Sequence, residues 1–78
     1  MYKHVNHSAL CYPGMTSSTI KDAIDGFVQE TQVPYYLITV SIRGHDSARF
    51  VEEYGDAHES LVELSMTAMD RLPEGYSA

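Results

Sequence analysis

The stretch "TIKDAIDGFVQETQVPYYLITVSIR" (Thr19 to Arg43) switches its hydrophobic period from helical to extended at Pro34, and that switch limits what the chain can fold into. Before it, Ile20, Ala23, Ile24, Phe27 and Val28 recur at i, i+3, i+4, i+7 and i+8, the spacing of one α-helical face. Lys21, Asp22, Asp25, Gln29 and Glu30 fall on the opposite face. Thr19 with Asp22 resembles a capping box, and Ser17 and Ser18 are equally good caps, so the pattern predicts a helix from about Ser18 to Thr31. Gly26 costs roughly 1 kcal/mol in mid-helix relative to Ala and predicts a close backbone approach. Proline lacks the N–H and the freedom in φ that a continuing helix needs. After it, "YYLITVSIR" is β-branched and aromatic, with Tyr36, Ile38, Val40 and Ile42 on one face and Tyr35, Leu37, Thr39, Ser41 and Arg43 on the other.

The flanks are less sharply written. "YKHVNHSAL" alternates loosely and reads as a weak edge strand ending at the turn signal "YPG". "GHDS" suits a hairpin connection, and "ARFVEEY" reads as the returning strand, with a short helix closed by Gly55 as its rival. Asp56 with Glu59 repeats the capping-box pattern, and Leu61, Val62, Ala68, Met69 and Leu72 fit one helical face around Ser65, with Pro73 as the stop. The expected architecture is α+β in one domain over residues 1–78: weak N-terminal strand, helix, β-hairpin and C-terminal helix, with the hairpin's dry face under the two helices.

A chain of 78 residues cannot fill a second core, and one this small gains from dimerisation or from a partner. No apolar run reaches a membrane span, and "MYKHVNHSALCYPGM" lacks the basic start and apolar core of a secretory signal. The single Cys11 has no internal disulfide partner, which fits a cytoplasmic location. A formal charge of −6 gives the chain no reason to bind nucleic acid or anionic membrane directly. A basic protein surface is the electrostatic complement.

Reaction chemistry is poorly represented. His4 and His7 would face together on a helix but point apart on a strand, and zinc needs two further convergent ligands, so no metal is expected. Cys11 lies between Leu10 and Tyr12 and reads as a small buried hydrophobe rather than a nucleophile. The sequence has neither a nucleophile elbow nor a glycine-rich phosphate loop, and adjacent Glu52 and Glu53 face apart on a strand. No enzyme activity and no cofactor are expected on these grounds.

Two surfaces stand out instead. In "VEEYGDAHESLVELSMTAMD" every charge is acidic. On a helix Asp56, Glu59, Glu63 and Asp70 would form one stripe, with Glu52 and Glu53 just before it. Like charges at helical spacing cost about 0.2–0.5 kcal/mol per pair, and no Lys or Arg follows Glu59 or Glu63 to relieve them. The expected role is an acidic protein that docks on a partner's basic surface and inhibits it, akin in size and charge to phage inhibitors such as anti-CRISPR proteins and DNA mimics. The second surface is aromatic: Tyr35, Tyr36 and Tyr54 are expected to cluster at one end of the hairpin, as a partner contact or a pocket wall.

The order "MYKHV", "STIKDAID", "YYLITVSIRGH" also resembles dodecin, a flavin-storing strand–helix–strand–strand family that assembles into a hollow shell. The likeness covers about the first 45 residues and implies a small oligomeric flavin-binding protein. No tryptophan stands where that family stacks its flavin, so Tyr35 or Tyr36 would take its place. The expected C-terminal helix is a further departure from the family's pattern.

Overall fold

The computed structural model describes residues 2–44 and 48–75, built as β1 (Tyr2–Cys11), α1 (Thr16–Thr31), β2 (Tyr35–Gly44), α2 (Ala48–Tyr54) and β3 (Ser60–Met69). The sheet order is β1-β3-β2, with β3 central and antiparallel to both neighbours. The fold is α+β, but two expected elements are corrected. Ser60–Met69 is a strand where the sequence predicts a C-terminal helix, and Ala48–Tyr54 is a helix where it predicts a returning strand. β2 therefore pairs with β3 and forms no hairpin with residues 48–54.

β3 lies between two strands and carries buried residues at both parities. Val62, Leu64, Met66 and Ala68 point to α1; Leu61, Thr67 and Met69 are buried on the opposite face. Such a strand loses the alternation that marks a half-exposed one. α2 is closed by Gly55, which at φ +78° takes the left-handed conformation that glycine reaches without strain and donates its N–H to the Val51 carbonyl at 2.8 Å.

α1 keeps most of its expected face. Phe27 is buried, and Ile20, Ala23 and Ile24 pack against the cluster of Cys11, Val62, Leu64, Met66 and Ala68. Val28 is half-exposed instead, and the helix starts earlier than expected, after Met15, with no side-chain cap. Thr16 is drawn elsewhere: its hydroxyl donates to Glu59 Oε1 at 3.0 Å and lies 2.6 Å from Ser60 Oγ. At the other end Gln32 ends the helix in the left-handed region at φ 47°. The Gly26 expectation is corrected too, since nothing lies within 4 Å of where its Cβ would be. The core sits between α1 and the β1–β3 side of the sheet. Among the described residues no helix is long and apolar enough to cross a membrane.

Candidate functional site: the open face of the sheet

Strand register divides the sheet's side chains into two sets. Val5, Cys11, Val62, Leu64, Met66, Ala68, Tyr36 and Ile38 face α1. The opposite face is built of rows that cross all three strands: Tyr2–Met69–Tyr35, His4–Thr67–Leu37, Asn6–Ser65–Thr39, Ser8–Glu63–Ser41 and Leu10–Leu61–Arg43. At the Arg43 end α2 closes in, where Arg43 Nη2 donates to the Tyr54 hydroxyl at 2.6 Å and lies 3.5 Å from Glu53. Packing around the Tyr54 ring and the neighbouring Glu53 carboxylate hold its phenol above the usual tyrosine value, against the pull of Arg43. The middle rows are open: Asn6, Ser8, Thr39, Ser41 and Glu63 are exposed.

The opposite end is aromatic. Tyr2 and Tyr35 flank the buried Met69, their Cα atoms about 10 Å apart across three strands. Tyr2 is 73% exposed. A cleft of about 620 Å³ opens on the Tyr2 side, lined by Tyr2, Met69, Asp70, Arg71, Leu72, Pro73 and Glu74. One row inward, His4 Nδ1 lies 2.8 Å from Thr67 Oγ1, which fixes the imidazole against the sheet. Beyond that comes a shallow depression of about 220 Å³ lined by Asn6, His7, Ser8, Thr39, Ser41, Glu63, Leu64 and Ser65. The face thus grades from aromatic and apolar to hydroxyl- and amide-rich within two to three rows, roughly 13–20 Å along the strands.

The residues singled out from the sequence are distributed differently from the expectation. Glu59 precedes β3, Glu63 lies within it and Asp70 follows it, so Glu59 and Asp70 bracket a strand about 33 Å long and form no helical stripe. Glu59 is turned inward: Oε1 accepts from the Gly14 N–H at 3.0 Å and from Thr16, tying the β1–α1 loop to the start of β3. Glu52 and Glu53 are exposed on α2, and Asp56 is exposed in the connection to β3. The three tyrosines do not cluster. Tyr35 and Tyr36 open β2, whereas Tyr54 meets Arg43 at the strand's other end. Tyr36 is held from three sides, its hydroxyl 2.9 Å from Thr31 Oγ1, accepting from the Val33 N–H at 3.2 Å and donating to the Val28 carbonyl at 3.3 Å. Its ring packs edge-on to Phe27 with centroids 6.0 Å apart. Tyr36 is thereby a brace for the end of α1, which leaves Tyr35 as the tyrosine at the start of β2 that faces the open side.

Other candidates fall into place. Cys11 is buried, 2% exposed, as the small hydrophobe its neighbours suggested. His4 and His7 lie three residues apart on β1 and so point to opposite faces. Among the described residues no group of three or more His, Cys, Asp or Glu is arranged to hold a metal. Sequence reasoning missed Tyr2, Asn6, Thr39, Ser65 and Met69, whose shared face exists only once β3 stands between β1 and β2. No family model matches the chain, and no curated protein or solved structure matches it either.

Proposed function

We propose that this protein is a non-enzymatic, self-associating binding domain that holds a neutral, planar heteroaromatic molecule of the flavin class on the open face of its sheet. The observation that carries the reading is the graded face. Tyr2, Met69 and Tyr35 offer ring and thioether surface for a flat aromatic head. The Asn, Ser and Thr rows beyond them offer donors and acceptors for a hydroxylated chain. Glu63 in that polar band and the net charge of −6 disfavour a terminal phosphate, so riboflavin suits the face better than its phosphorylated forms.

The corrected topology supports the same reading. The dodecin resemblance implies strand–helix–strand–strand, and β3 supplies the last strand where a helix had been expected; α2 is then a short extra turn between β2 and β3. Of the two tyrosines that could replace the family's tryptophan, Tyr36 is occupied and Tyr35 is available. The competing role, an acidic inhibitor docked on a basic partner, now rests on overall charge and on the exposed Glu52, Glu53, Asp56, Glu63 and Asp70. They form no helical stripe, and Glu59 is engaged within the chain.

The test is a titration of riboflavin followed by quenching of flavin fluorescence, with absorption of the purified protein near 450 nm as a companion. Stacking on an aromatic side chain contributes about 1–3 kcal/mol, so Tyr35→Ala should weaken binding by about tenfold or more while leaving circular dichroism unchanged. No quenching with roughly 100 µM protein, or equal affinity in Tyr35→Ala, would overturn the proposal.

A further inference from the structure

The sheet has two outer edges, and they are not alike. β1 carries Lys3, which pairs with Glu30, and His4, Asn6 and His7 along its length, the kind of polar guard that keeps an edge strand from pairing with another chain. β2 has no Pro, no Lys and no acidic residue. Its one charge, Arg43, is engaged by Tyr54 and Glu53 at the strand's end. Along about 33 Å its outer backbone groups have no strand beside them among the described residues.

The same strand is short of cover on its faces. α1 packs mainly on β3 and β1 and meets β2 at Tyr36 and Ile38, leaving the Val40–Ile42 end beyond it. Val40 and Ile42, on the helix side, are 41% and 55% exposed, and Leu37, on the open face, is 44% exposed. The dimensions agree, since the chain is a slab of 42 × 25 × 17 Å. Its radius of gyration is 14.9 Å, against about 11.5 Å for a compact domain of this length. It exposes 5351 Å², roughly 600 Å² more than the ~4,700 Å² typical of a monomer of its mass. That excess approaches the ~800 Å² per partner of a standard stable interface.

We propose that β2 is an interface between two copies of this chain, paired antiparallel across a two-fold axis into one six-stranded sheet. A second copy is the occupant for two reasons. A two-fold axis brings the same strand from each chain together, so one apolar edge satisfies its own image in both backbone and side chains. The chain's charge of −6 opposes association through its acidic surfaces. β2, like β1, is free of acidic residues, but it lacks the Lys and His that guard β1, so it is the edge left to pair. Val40 and Ile42 of each copy then extend the two cores into one another. The pairing deepens the self-association in the proposed function and rests on that part of it alone. It joins two open faces into a single surface with a Tyr2–Tyr35 row toward each end.

Light scattering on the ligand-free protein, with site-directed crosslinking, tests it. The unmodified chain should run as an even-numbered assembly at micromolar concentration. Ile42→Lys, at an exposed position, should keep its circular dichroism and raise the dimer dissociation constant by about a hundredfold. Under mild oxidation Leu37→Cys, Thr39→Cys and Ser41→Cys should include one variant that crosslinks in high yield, whereas Asn6→Cys on β1 stays uncrosslinked. A monomer at every concentration, an unchanged assembly in Ile42→Lys, or crosslinks confined to β1 would overturn the proposal. Failure of riboflavin to bind the unmodified assembly would overturn the ligand reading and leave the pairing standing.

Discussion

Leu64→Ala, set beside Leu72→Ala, distinguishes the observed strand from the helix that the same residues suggest. On a helix spanning Asp56–Leu72, Leu64 and Leu72 would both lie on the apolar side with Leu61 and Ala68, so truncating either would cost a similar amount. In β3 Leu64 is 2% exposed, belongs to the main core cluster, and pairs across to His7 and Val40. The substitution deletes three carbons, each worth about 0.8 kcal/mol of transfer free energy, or roughly 2.4 kcal/mol. A cavity term adds to this, because a strand hydrogen-bonded on both sides cannot settle into the gap, and the total comes to about 3–4 kcal/mol. For a domain of this size that lowers Tm by about 12–30 °C. Urea unfolding followed by circular dichroism, at one fixed protein concentration because assembly contributes to stability, measures it directly. Leu72→Ala, at a half-buried position after the strand, is the control and should cost less than half as much. A loss below about 1 kcal/mol for Leu64→Ala, or a similar or larger loss for Leu72→Ala, would refute the central strand.

Three further outcomes follow from other parts of the chain. Glu59→Gln keeps the shape but weakens the charge-assisted bonds to Gly14 and Thr16, and should cost about 1–2 kcal/mol in the same urea assay. Gly26→Ala should stabilise by about 0.5–1 kcal/mol, since the added methyl meets nothing and the helix interior loses a glycine; a loss of stability would mean that the position is occupied in an assembly. Tyr54 has its pKa raised above 10.0 by packing and by Glu53, so its contribution is complete below that pH and is lost as the phenol ionises above the raised folded value. The fall in stability of the unmodified protein above pH 10 should therefore be shallower in Tyr54→Phe.

How much of this was legible in the sequence depended on how many faces of each element are buried. α1 and β2 could be read because polar and apolar residues alternate at one period in each, and Pro34 separates the periods. β3 could not. With both faces covered, Leu61 and Val62, then Leu64, Met66, Ala68 and Met69, supply apolar residues at both parities, and any such run also satisfies helical spacing. The Asp56–Glu59 capping pattern added to the error. Glu59 does accept from a backbone N–H, but that of Gly14, 45 residues away in sequence. In "ARFVEEY" seven residues are too few to separate i, i+4 from alternation, and Phe50 and Tyr54 fit both; Gly55 decides for the helix. Tyr35 was identified as a candidate, but its partners Tyr2 and Met69 were not, because their row is a property of register and not of sequence neighbourhood.

The open face is tested most directly by mapping riboflavin on the ¹⁵N-labelled protein by NMR. Amide shifts should concentrate at Tyr2, His4, Leu37, Thr39, Ser65, Thr67 and Met69, with the exposed side of α1 around Asp22 and Asp25 unmoved. Shifts confined to α1 or α2, or none at saturating ligand, would contradict a binding face built from Tyr2, Met69 and Tyr35.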